Sequence, residues 1–261
     1  MIAPLGAQSD RLTRVASLKT AKGRRRHKQF AFEGPTLLDE ALRAGTPIDE
    51  LYVTQAALDA HSDLTERASG IPVHIVSERS FAKISDVETP AGLLAVAHAK
   101  QAPLEALLDG AGLVAVLAGL NDPGNAGTLL RSADAFEARG AVFGDGGVDP
   151  FSPKVVRAGM GAFFRLKIAV ATPDGFAQAA ASSGFTAIGL RAGAQPLHEV
   201  DWPERTAMVV GHERRGLGAW EALCERFAGI PIGGAAESLN AAVAGSIAFY
   251  EVARSGGKRL I

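Results

Sequence analysis

Cys224 is the only cysteine in the chain. An intrachain disulfide and a cysteine-built zinc site are therefore excluded. The six histidines are scattered, without metal-ligand spacing. No apolar run reaches the roughly 18 residues that a membrane-crossing helix needs. Residues Met1 to Gln8 hold neither a charged leader region nor a long apolar stretch, so no secretory signal is expected and the chain reads as a soluble cytoplasmic protein. There is no internal repeat and no low-complexity tract. Two nucleotide-binding signatures are also missing. No Gly-Lys-Ser/Thr closes a phosphate loop, and no G-x-G-x-x-G turn is present.

Apolar residues make up 47% of the 261, enough for a sizeable core and for one large or two modest domains. The net charge of −1 is unevenly spread. Between Asp10 and Lys28 lie Arg11, Arg14, Lys19, Lys22, Arg24, Arg25, Arg26 and Lys28 against a single acid, so the segment carries +7 and the remainder −8. Such asymmetry points to an anionic partner, although a solvated basic helix face would look the same. Residues 1–9 read as a flexible tail. Alternating strand-like and helical segments from 10 to 100 describe a small α/β domain, and Lys100 to Pro103 reads as a linker. From 104 to 261 the alternation resumes. Strands are expected at 113–117, 141–143, 166–170, 186–190, 207–210 and 229–232. Helices are expected at 126–136, 153–160, 175–183, 218–227 and 239–254. Most of these strands are rich in Val, Ile, Leu or Ala, as parallel strands covered on both faces are.

Three segments carry polar chemistry at the ends of such strands. The first runs from Asn121 to Arg131. Pro123-Gly124 makes a turn there, and Asn125 is placed to cap the following helix. Arg131 follows six residues later among Leu129, Leu130, Ala133 and Ala135. Its planar fork suits phosphate, but an exposed arginine or a salt bridge to Asp134 fits equally well. The second segment, Gly211 to Gly218, offers Glu213 beside Arg214 and Arg215, where ion pairing is the plain alternative. The third, Ile230 to Ala244, contains Gly233-Gly234 and Ser238-Leu239-Asn240, where Ser238 or Asn240 could simply cap the last helix. Glycine-rich edges after two strands suggest one pocket at the carboxyl ends of neighbouring strands.

Taken in order, the three segments resemble the motifs of the SpoU/TrmH-type RNA ribose methyltransferases of the SPOUT superfamily. Asn125-Ala126-Gly127-Thr128-Leu129-Leu130-Arg131 with Ala133, Ala135 and Phe136 matches the first motif. Gly211 to Leu217 matches the second. Ile230 to Gly234 with Ser238 to Asn240 and on to Glu251 matches the third. Arg24-Arg25-Arg26, Phe32-Glu33-Gly34 and Thr89 to Gly92 look like that family's RNA-substrate-binding domain.

The resemblance implies an α/β fold. Its C-terminal domain would hold a mostly parallel sheet with helices on both faces and a deep trefoil knot, after a smaller N-terminal substrate-binding domain. It implies transfer of a methyl group from S-adenosylmethionine to a ribose 2′-hydroxyl, in rRNA more than tRNA, by a homodimer. Gly211, Ile230 and Leu239 would hold the methyl donor by main-chain groups. Arg131, Asn125, Glu213, Ser238 and Asn240 would form the catalytic constellation, with Glu213 orienting Arg131 or a neighbouring backbone group. Arg11, Lys19, Arg24, Arg25, Arg26 and Lys28 would meet RNA phosphates. The small residues Ala241, Ala242, Ala244 and Gly245 would suit close packing at a dimer interface. Two positions depart from the pattern: His212 stands where asparagine or a small residue is common, and Ala242 where a second serine is common. Ala242 is the one support for a rival reading, a non-catalytic RNA-binding protein with the same fold.

Overall fold

The computed structural model describes residues 6, 9–235 and 238–256. Most of the expected tail, and residues 236 and 237 within the third motif, lie outside the described residues. The chain separates into two compact units, one of residues 1–100 with 151–164, the other of residues 101–150 with 165–261. The segment 151–164, read from sequence as part of the second domain, thus groups with the first unit.

In the first unit β1 (Gln29–Glu33), β2 (Ile48–Val53), β3 (Val73–Ile75) and β4 (Leu93–His98) form a sheet in the order β1-β4-β2-β3. β4 runs antiparallel to both neighbours, and β2 and β3 are parallel. Leu12, Val15 and Leu18 of the N-terminal segment pack with Tyr52, Phe81, Leu94 and Val96 in its core. The basic segment forms two helices, Asp10–Ser17 and Ala21–His27, opened by side-chain caps from Ser9 and Thr20 respectively. The helix Pro153–Gly159 lies against β1, where Phe30 meets the rings of Phe151 and Phe163 at 5.4 Å each.

The second unit is built on β5 (Gly112–Ala118), β6 (Ala141–Gly144), β7 (Ile168–Ala171), β8 (Thr186–Pro196), β9 (Arg205–Gly211) and β10 (Arg226–Gly229). Their order is β10-β8-β9-β5-β6-β7, with every pair parallel. Val114, Val116, Val142, Ala207 and Val209 are fully buried, as strands covered on both faces require. Two of its polar-to-proline steps mark helix starts beside this sheet. Asp122-Pro123 and Thr172-Pro173 open helices Pro123–Ala135 and Pro173–Ser182, with Asp122 and Thr172 accepting the cap bonds. Asp122, not Asn125, is therefore the cap of the first-motif helix.

Residues 218–227, expected to be one helix, form a short 3₁₀ turn, Gly218–Leu223, and then β10. Trp220, Leu223 and Phe227 sit at near-helical spacing, yet Trp220 and its neighbours pack against the core from a turn. Apolar spacing over so short a stretch does not separate the two forms. The last helix, Ala241–Ser255, starts two residues later than expected.

Candidate active site

Strand order explains why distant motifs meet. β5 lies beside β9, with Ala118 opposite Gly211, so the chain leaves both strands at one edge of the sheet. β8 flanks β9 on the other side, and β10 flanks β8. The first motif follows β5, the second follows β9 and the third follows β10. Successive strands run to one side of β5 and then return on the other, and ligands settle at such a switch in open parallel sheets.

A cleft of about 680 Å³, open mouth included, lies at this edge. Its walls include Gly211, His212, Glu213 and Gly216 from the second motif, and Ile230, Ile232, Ser238 and Leu239 from the third. The three expected cofactor-binding positions, Gly211, Ile230 and Leu239, thus share one cleft with Glu213 and Ser238. Leu190, Arg191 and Ala192 form a further wall that sequence reading missed. The reason is a break in register. Phe227 pairs with Gly189, but Ala228 pairs with Gln195, so residues 190–194 swing out of the β8–β10 ladder. The Arg191 guanidinium lies 3.8 Å from the Phe227 ring centre and 3.1 Å from Glu221.

At Gly211 the backbone approach is close. A Cβ there would fall 2.4 Å from the Gly216 carbonyl oxygen. The loop between them is pinned by two main-chain bonds, His212 N–H to Gly216 O at 2.8 Å and Gly216 N–H to His212 O at 2.9 Å. His212 Nδ1 accepts from the Arg214 N–H at 3.0 Å.

Asn125 and Asn240 do not line the cleft but are tied to it. The Asn240 amide donates to Asn125 Oδ1 at 3.0 Å, and the Asn125 amide donates to Glu213 Oε1. Asn240 Oδ1 also accepts from the N–H groups of Ala242 and Val243 at 2.9 and 3.2 Å, which caps the last helix. One asparagine therefore fixes a helix start and orients a second asparagine, which in turn orients the carboxylate. Ala242 joins the cap through its main chain alone, so the absent serine hydroxyl leaves that bond intact.

Arg131 stands apart from this network. Glu213, expected to orient Arg131 or a neighbouring backbone group, accepts from the Asn125 amide. The Arg131 side chain is exposed rather than set among its apolar neighbours, and among the described residues it has no hydrogen-bonding or ionic partner. Asp134 is taken by Arg165 at 2.8 and 3.0 Å. Cys224 is no rival nucleophile. Burial pushes its thiol up to about 12, and its Sγ faces the Trp220 carbonyl at 3.2 Å.

The basic segment divides in two. Arg11 and Arg14 pair with Glu50 at 3.1 and 2.7 Å. The Lys19 ammonium donates to the carbonyls of Lys83 and Ser85, and buried Arg24 to those of Leu18 and Lys19. These cations hold the first unit together. Arg25, Arg26 and Lys28 are exposed, and among the described residues their side chains have no hydrogen-bonding or ionic partner. Replacing Arg24 with alanine should therefore cost about 1–3 kcal/mol of stability, as buried acceptors lose their donor. Replacing Arg25, Arg26 and Lys28 together should leave the melting temperature nearly unchanged. A thermal melt of the two variants separates the classes, and equal destabilisation would contradict the division.

Among the described residues no helix is long and apolar enough to cross a membrane. Residues 112–250 match the SpoU rRNA methylase family, and residues 10–95 match the MRM3-like substrate binding domain. The 23S rRNA (guanosine(2553)-2′-O)-methyltransferase of Bacillus subtilis is 32% identical over 251 residues, which span 94% of this chain and 97% of that protein. Among solved structures, a TrmH-family protein from Porphyromonas gingivalis superposes with a TM-score of 0.84 at 32% identity, covering 97% of this chain and 99% of the other. An AdoMet-bound rRNA methyltransferase from Sinorhizobium meliloti gives 0.85 at 27% identity, with 97% of each chain covered. Family match, full-length relatives and a cleft walled by the second and third motifs agree: the chain belongs to the SpoU rRNA methylase family.

Proposed function

We propose that this protein transfers a methyl group from S-adenosylmethionine to a ribose 2′-hydroxyl of ribosomal RNA in the cytoplasm. The observation that carries the reading is the bonded series Asn240–Asn125–Glu213 at a cleft walled by main-chain loops. The cleft suits the donor chemically. Leu190, Val210, Ile230, Ile232 and Leu239 offer apolar surface for a purine, and Arg191, Glu213 and Ser238 offer polar groups for an amino-acid end. Bound there, S-adenosylmethionine supplies an electrophilic methyl carbon. The chain's part is to place the 2′-oxygen in line with that carbon, and positioning of this kind carries much of a rate enhancement. Asn125, held from both sides, fixes the Glu213 carboxylate. Arg131, an exposed cation with a planar fork of donors, is suited to hold the RNA phosphate and steady charge on the 2′-oxygen rather than to act as base.

Ribosomal RNA is favoured because the full-length Bacillus subtilis relative is named for 23S rRNA. The domain division at 10–100 and 104–261 belongs to the same proposal, with 10–100 as the RNA-substrate domain. So does a trefoil knot, supported by the meeting of Gly211 to Glu213 and Gly216 with Ile230, Ile232, Ser238 and Leu239 in one cleft. Labelled methyl donor, purified protein and in vitro transcribed ribosomal RNA form the test. Incorporation that alkali-resistant dinucleotides assign to 2′-O is expected. Transfer to tRNA alone would change the substrate, and transfer to neither would overturn the activity.

A homodimer is part of the proposal as well. Three of the small residues expected at its interface, Ala241, Ala242 and Gly245, are buried within the chain itself. A Cβ on Gly245 would meet Leu129 at 2.5 Å and Val210 at 3.0 Å, so the last helix packs on its own chain. Val243, Ile247 and Tyr250 are left exposed at spacings of four and three, one stripe along the helix. An Ile247→Asp variant should shift the species seen by light scattering toward monomer; an unchanged dimer would place the interface elsewhere.

A further inference from the structure

We propose that His212 is a positioning residue whose neutral ring closes the methyl-donor loop and whose protonation loosens it. The proposal rests on the cleft being the S-adenosylmethionine site. An N–H group can only donate, so the 3.0 Å bond from Arg214 N to His212 Nδ1 requires a lone pair on Nδ1. The proton of the neutral ring then sits on Nε2. The bond runs from residue i+2 back to the side chain of residue i, the span of an Asx turn, so an imidazole nitrogen does here what an asparagine oxygen does elsewhere. The same loop carries the two main-chain bonds between His212 and Gly216, and His212 lines the cleft with its side chain only 17% exposed.

Glu213 Oε2 lies 3.5 Å from the same Nδ1, while Oε1 accepts from Asn125. A proton on Nδ1 would remove the acceptor from the Arg214 N–H and set two hydrogens against each other. It would also give Glu213 a cationic partner in competition with Asn125. The other charged groups on neighbouring elements are already engaged or exposed. Arg191 of β8 pairs with Glu221, Asp122 accepts the Asn125 N–H at 2.7 Å, and Glu251 of the last helix pairs with Arg254. Arg214 and Arg215 on the loop itself are exposed, and Asn240 is uncharged. Glu213 is thus the charge that governs the ring.

Calorimetry of S-adenosylmethionine binding from pH 8 to pH 5.5 tests this on the wild type, His212→Asn and His212→Ala. Wild-type affinity should fall about 2- to 10-fold between pH 8 and pH 5.5, the weight of one neutral hydrogen bond. His212→Asn should hold its affinity across the range, because an amide oxygen accepts the Arg214 N–H and does not titrate. His212→Ala should be weak throughout. A flat wild-type profile, or a parallel fall in His212→Asn, overturns the proposal. Nitrogen NMR of the unliganded protein at pH 8 gives a second readout that needs no cofactor. The Nε2–H tautomer is expected, and Nδ1–H would overturn the assignment even if the methyl donor binds. Absence of donor binding to the wild type at pH 8 would instead remove the cleft reading, and the role of His212 with it.

Discussion

Alanine at position 131 should lower kcat/KM for RNA methylation by about 10²–10³-fold while leaving the S-adenosylmethionine dissociation constant within about twofold of wild type. The split follows from where the side chain lies. Arg131 is not in the cleft wall, so removing it should not disturb the donor. It sits six residues beyond Asn125 on the same helix, about 9 Å along the axis, and has no partner among the described residues to lose. Stability should therefore change by no more than about 0.5 kcal/mol, as for an ordinary surface substitution. An arginine that serves only to solvate a helix would give a change in rate of about twofold or less. Lysine should recover little, since a point charge replaces a planar fork that can hold two oxygens at once. The measurements are single-turnover transfer to ribosomal RNA, donor calorimetry and a thermal melt on the same preparations. Undiminished transfer by Arg131→Ala would sink the role assigned to this residue.

The three motifs were legible because each is short and carries its own conformational signal. Glycines at 211, 216 and 218, the Pro123-Gly124 turn and the Ser238-Leu239-Asn240 triplet mark loop edges without reference to the rest of the fold. The parallel sheet was legible for a related reason, since β5 and β9 are nearly unbroken apolar runs. Pairings across long separations were not. Glu213 and Asn125 are 88 residues apart, and nothing in either segment says that the carboxylate meets an amide rather than Arg131. The 190–194 excursion escaped notice because its arginine, alanines and glycine give neither a strand period nor a polar motif. Charge alone also says nothing about burial. Arg24 and Arg25 are neighbours of one type, yet one caps carbonyls inside the first unit and the other faces solvent.

Gly211→Ala should weaken S-adenosylmethionine binding about 10- to 100-fold without unfolding the protein. The added Cβ would lie 2.4 Å from the Gly216 carbonyl oxygen, 2.5 Å from its carbon and 2.8 Å from the Leu217 nitrogen. All three are main-chain atoms, so no side-chain rotation relieves the contact. β9 cannot yield easily, because it is hydrogen-bonded to β5 on one side and β8 on the other, with Gly211 itself opposite Ala118. The strain must go into the loop, whose His212–Gly216 bonds and cleft-facing backbone would be displaced. Overpacking of this kind costs about 1–3 kcal/mol, which converts to that loss of affinity if most of it falls on the loop. Gly245→Ala is the informative contrast. Its Cβ would meet the side chains of Leu129, outside the cleft wall, and Val210, within it; side chains can shift where main chain cannot, so that variant should lose less affinity than Gly211→Ala. Calorimetry with the donor and a melt on both variants separate the two outcomes. Wild-type affinity in Gly211→Ala would mean that the close approach at Gly216 serves the fold alone, and the main-chain account of donor binding would fail with it.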